Sequence, residues 1–198
     1  MLKLPDLRIN RAVMELCGGP QNLPTVGSKL KFRNPIQCEH YRDGKLLAVY
    51  DTVNDITTVG INDIFNCYFG GGNQTTNWYV GLISAASYSS VASTDTMASH
   101  AGWLIYTTVT ASVWAAWGPG SASAGSITNG TAVSYTISGS GSQGTVEGVF
   151  IVGNTASDST ASSFTDTAGI LWATALFATP VAVNGGDTLK ITYTVSGS

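Results

Sequence analysis

The stretch Thr188-Leu-Lys-Ile-Thr-Tyr-Thr-Val195, TLKITYTV, alternates apolar and polar side chains without a break. Leu189, Ile191, Tyr193 and Val195 share one side of an extended chain; Lys190, Thr192 and Thr194 share the other. Strand side chains point to opposite faces in turn, so a period of two predicts a strand with one face in a core and one in solvent. Val133, Tyr135 and Ile137 repeat the pattern.

Working outward, similar runs rich in β-branched and aromatic residues recur along the chain. They cover residues 46–53, 78–84, 103–110, 112–117, 132–138, 146–152, 170–177 and 188–195. Clusters of Gly, Ser, Thr and Asn separate them, including SGSGSQG at 138–144 and NGG at 184–186. Arg42-Asp-Gly-Lys45 is a hairpin signal between Cys38–Tyr41 and the first of these strands. About eight short strands with turn signals predict a mainly β protein, an antiparallel β-sandwich of jelly-roll type.

One segment breaks the pattern. Ile61, Ile64, Phe65, Tyr68 and Phe69 fall at i, i+3, i+4, i+7 and i+8, the stripe of an amphipathic helix over residues 58–69. Thr57 or Thr58 can cap its start and Gly70-Gly-Gly72 ends it.

The first 37 residues read as an extended basic arm, and residues 38–198 as the β domain. Pro5, Pro20, Pro24 and Pro35 forbid long regular elements in the arm. Leu4, Leu7, Ile9, Val13, Met14, Leu16, Leu23 and Phe32 nevertheless make it apolar enough to lie along another surface. Fully extended, such an arm reaches up to about 120 Å. Its Arg8, Arg11, Lys29, Lys31 and Arg33 are candidates for contact with an acidic protein.

Charge supports this division. Only 11% of the 198 residues are Asp, Glu, Lys or Arg, against about 25% in ordinary domains. Polarity comes instead from 24 Thr, 21 Ser and 23 Gly. Eight of the nine Lys and Arg residues lie at or before Lys45, giving that segment +4 and the rest −7. The basic residues are dispersed and lack aromatic interleaving, so nucleic acid is not the expected partner. The start, MLKLPDLRINRAV, has no apolar core, and no signal peptide is expected. No 18-residue apolar run predicts a membrane helix. Cys17, Cys38 and Cys67 lack CxxC spacing and read as free thilols of a protein assembled in a reducing cytoplasm.

Catalytic and metal chemistry find little foothold. Asp95 and His100, with Ser93 and Ser99, lie in the loop STDTMASHAGW at 93–103. Known triads draw their members from separate parts of the chain, so a structural loop is the better reading. There is no G-x-S-x-G elbow, no phosphate-binding loop and no clustered His/Cys set. No enzyme activity, cofactor or metal is expected. The five tryptophans, borne on strands, read first as core or interface residues; the alternative is an exposed pair that binds sugars, for which Trp114 and Trp117, in VWAAWGPG, are the best candidates.

The ordered series RDGKL, NDITTVG, a short helix, NWYVGLIS, STDTMASHAGW, VEGVFIV, ILWATALF and VNGGDTLKITYTVS resembles a family of structural proteins of tailed bacteriophages. The resemblance covers about residues 40–198. It implies a jelly-roll-like domain that decorates the virion, and it implies no catalytic residues. The expected function is a capsid decoration (cement) protein on the capsid exterior, made in the host cytoplasm. Its expected partners are the major capsid protein and copies of itself in a trimer, with no nucleic acid and no membrane. Rival readings are a tail, fibre or adaptor component and a carbohydrate-binding β module.

Overall fold

The computed structural model describes residues 31–154, 164 and 167–197. These belong to a compact unit that starts at Lys31. They form an antiparallel β-sandwich with one helix among the described residues.

The first sheet holds β1 (Phe32–Arg33), β2 (Pro35–Arg42), β3 (Lys45–Val53), β8 (Ser126–Thr128), β9 (Val133–Thr136) and β12 (Thr188–Gly197). β12 is its centre. β2 and β9 flank its first half, and β1 and β8 its second. The alternation in TLKITYTV acts as predicted: Leu189, Ile191 and Tyr193 are fully buried and Lys190 is exposed. β2 and β3 are joined by Asp43-Gly44, both at positive φ (50° and 74°), the backbone of a tight hairpin turn.

The second sheet runs β4 (Asp55–Ile56), β11 (Ile170–Asn184), β10 (Ser142–Asn154), β5 (Asn77–Ser84) and β6 (Leu104–Ile105), with β7 (Ala115–Ala116) also on β5. Between the sheets lies the main core, built from Val80, Leu82, Val149, Ile151, Tyr135, Ile191 and their neighbours. On the outer side of the second sheet lies another core of Ile83, Met97, Trp103, Trp114, Phe150, Val152 and Leu171. Loops between β5 and β7 supply Met97, Trp103 and Trp114. The strands expected over 103–110 and 112–117 therefore shrink to two residues each. Their backbone bends to place large rings over the sheet.

β11 is longer than expected because it continues past Pro180. Its register with β10 passes from Gly148↔Leu176 to Val146↔Val181, so the chain bulges across residues 177–180. Proline has no N–H for the ladder and is tolerated in strands at such bulges.

The structure corrects the domain boundary. Residues 32–37, expected in the arm, belong to the first sheet, and Ile36 is buried. Pro35 is the first residue of β2, a position where a missing N–H is tolerated. Residues 1–30 of the expected arm, including Arg8, Arg11 and Lys29, lie outside the described residues.

The helix, α1 (Thr58–Tyr68), is also corrected in part. The Thr57 hydroxyl caps it, accepting from Gly60 N–H at 3.1 Å and donating to Leu171 O. Gly60 is its one buried residue. A Cβ there would come within 2.5 Å of Trp172 O, so only glycine permits this approach. Contact at the first turn leaves much of the predicted stripe turned outward. Ile64 packs on the core, whereas Ile61, Phe65, Tyr68 and Phe69 are exposed.

Candidate functional site

The loop STDTMASHAGW has its polar groups committed to its own shape. Asp95 Oδ2 accepts from Ala92 N–H and from the Trp103 indole N–H, both at 2.9 Å. His100 stacks on Trp103 with centroids 4.0 Å apart and planes at 25°. Its Nδ1–H donates to Trp103 O at 3.1 Å. Asp95 and His100 thus each bond to Trp103. Met97 and Trp103 anchor the loop in the outer core. The arrangement orients a buried indole and gives neither residue the geometry of a base beside a nucleophile.

A charged cluster that the sequence did not reveal sits at the turn between β11 and β12. Asp187 is fully buried. Its carboxylate accepts from Arg42 Nε at 2.7 Å and Arg42 Nη2 at 2.8 Å, a two-pronged pairing. His40 Nε2 lies 2.8 Å from Oδ2, and Asn184 N–H donates to the same oxygen. The Arg42 guanidinium holds the Asp187 carboxyl well below the usual carboxylate range, with the Asn184 and His40 bonds adding to the effect. Asp187 and Arg42 are 145 positions apart, so spacing gives no hint of the pair. The cluster pins the end of β2 to the β11–β12 turn.

Cys38 and Cys67 are free thiols. Burial pushes the Cys38 thiol up to about 12, which makes it a packing group and a poor nucleophile. Cys17 lies outside the described residues. Among the described residues no group of three His, Cys, Asp or Glu side chains is placed to hold a metal ion. Nor is any described helix long and apolar enough to cross a membrane.

Trp114 and Trp117 are not an exposed pair. Both are buried, at 2% and 6% exposure. Positions three apart on an extended chain point to opposite faces, and β7 is the extended pair between them. Trp114 enters the outer core, edge-on to Phe150 at 5.5 Å. Trp117 enters the main core, where its indole N–H donates to Tyr193 O at 3.2 Å. There it lines a cleft with Trp78 and Trp172.

The apolar groups that do face solvent lie elsewhere. Ten large apolar side chains are exposed among the described residues. Leu46, Leu47, Val49 and Val53 are on β3; Ile61, Phe65, Tyr68 and Phe69 are on α1 and its C-cap. Tyr68 is 82% exposed and Phe69 76%. Their rings meet at 5.0 Å, and Phe65 lies 6.3 Å from Phe69. The only charged residue of α1, Asp63, faces Thr75 and Cys67. The result is an uncharged aromatic ridge. Of the basic candidates, Lys31 and Arg33 are exposed where the first sheet begins. No family model, curated protein or solved structure matches this chain.

Proposed function

We propose that this protein is a non-enzymatic structural component of a tailed-bacteriophage virion, a capsid decoration (cement) protein that binds the major capsid protein shell and stabilises it. The observation that carries this reading is the uncharged ridge of Ile61, Phe65, Tyr68 and Phe69 on a rigid sandwich. Clustered exposed aromatics are the composition of protein interfaces. The polar groups of the best catalytic candidate loop are taken up in holding Trp103, which suits work by contact rather than by reaction. In this reading the ridge seats on the shell. Arg8, Arg11, Lys29, Lys31 and Arg33 pair with acidic capsid surface, and the copies assemble as a homotrimer. Many weak contacts engaged together then resist the outward pressure of packaged DNA.

Purified protein mixed with preformed, undecorated capsids tests this by co-sedimentation. Saturable binding is expected, reduced by added salt when residues 1–30 are present and less salt-dependent when they are deleted. Failure of the intact protein to bind capsids, with labelled copies found on tails instead, would overturn it in favour of a tail or fibre role.

A further inference from the structure

We propose that the cleft lined by Trp78, Trp117 and Trp172 is a binding site for a neutral pyranose ring. This goes beyond the capsid reading and does not depend on it. The cleft has a volume of about 380 Å³, within the usual range for small-ligand sites. It opens between the sheets: Trp78 on β5 and Trp172 on β11 form one side, and Tyr193 on β12 the other. Trp117, Trp172 and Tyr193 are 6%, 7% and 0% exposed and form its floor, so Trp78, half-buried, presents the accessible ring.

The walls are fixed in advance. Trp172 Nε1 donates to the Tyr193 hydroxyl at 2.8 Å, and Asn54 Nδ2 donates to the same hydroxyl at 2.8 Å. Trp117 Nε1 donates to the Tyr193 carbonyl. Trp78 packs edge-on against Trp172 with centroids 5.6 Å apart. A ligand entering such a cleft does not have to order the side chains that receive it.

The rim differs from the walls. Gln74 and Thr76 line the cleft and are exposed, and Trp78 beside them is half-buried. Among the described residues no Asp, Glu, Lys, Arg or His lines it. A pyranose matches both features. Its C–H face packs on aromatic surface, and its hydroxyl edge exchanges hydrogen bonds with neutral amides and hydroxyls. A charged ligand would lose hydration here with no counter-charge among the described lining residues. A wholly apolar ligand would cover the rim groups and leave them unpaired.

Saturation-transfer NMR and tryptophan fluorescence on the full chain test the site, with methyl glucoside, methyl galactoside and N-acetylglucosamine as probes. At least one is expected to bind saturably. Trp78→Ala should weaken it by about tenfold or more, as loss of a central aromatic anchor does. Because Trp78→Ala also touches the core, the exposed double variant Gln74→Ala with Thr76→Ala serves as the second test; it should weaken binding while leaving the unfolding midpoint unchanged. The proposal is overturned if none of the three probes binds. It is equally overturned if both variants bind as the parent does, or if glucuronic acid binds as tightly as the neutral sugars.

Discussion

The two sheets meet solvent in opposite ways. β12 in the first sheet alternates, with Leu189, Ile191 and Tyr193 buried and Lys190 exposed. β5 in the second is buried continuously from Val80 to Ser84. The difference comes from what lies outside each sheet. The long loops between β5 and β7 fold back over the second sheet and bury Met97, Trp103 and Trp114 against Phe150. Nothing comparable is described over the outward side of β3, where Leu47, Val49 and Val53 stay exposed. Long irregular loops here act as a third packing layer, and their polar residues hold that layer in shape.

Removing the centre of that layer tests the contrast most severely. Trp103→Ala deletes a fully buried indole, leaves Asp95 without the indole N–H and removes the ring on which His100 stacks, while the backbone carbonyl that His100 bonds remains. A loss of about 3–5 kcal/mol is expected from the emptied volume, measured by urea unfolding. A loss near zero would mean that the loop layer does not fold cooperatively with the sheets.

Next in size is the clamp at the far end of β12. Asp187→Ala leaves Arg42 and His40 without their carboxylate; because the Arg42 side chain is 39% exposed, water can take up its charge, and a loss of about 1–3 kcal/mol is expected in urea unfolding. The sign of the pH effect follows from the direction of the shift. The folded-state pKa of Asp187 lies below its unfolded value. The contribution is therefore complete above the ordinary carboxylate range and disappears as pH falls through that range toward the folded value. The unfolding temperature of the parent should drop steeply below about pH 4, and that acid limb should flatten in Asp187→Asn. An unchanged limb in the variant would assign the acid sensitivity to other carboxylates.

The same contrast explains what was legible in the sequence. Period-two alternation at 188–195 and 133–137 gave strands and faces directly, because one side of the first sheet is wet. Asp43-Gly44 gave the hairpin, because few other residue pairs accept its backbone. The continuous apolar run in NWYVGLIS implied a strand but not the layer above it, since that layer has no period of its own. Asp187 was invisible because its partners are far away in the chain. The α1 stripe was read correctly as helix, yet its outward orientation is set by Gly60 against Trp172 O, a contact only the fold creates. Trp114 and Trp117 carried the answer in their spacing: three positions apart on a strand means opposite faces.

The smallest expected effect on stability is the most informative about function. Phe65→Ser, Tyr68→Ser and Phe69→Ser together remove three large rings from the ridge. A core of such rings would lose several kcal/mol each on truncation. Here two of the three are mostly exposed, and exposed substitutions usually change stability by no more than about 0.5 kcal/mol apiece. The triple variant should therefore unfold close to the parent in urea, while its co-sedimentation with preformed capsids falls sharply. Strong destabilisation would show that the ridge packs against part of this same chain. Parent-like stability with parent-like capsid binding would move the contact surface to β3 or to the basic segment. Only the combination of intact folding and lost binding matches a ridge kept bare for a partner, in contrast to the second sheet, whose outer apolar face the chain covers with its own loops.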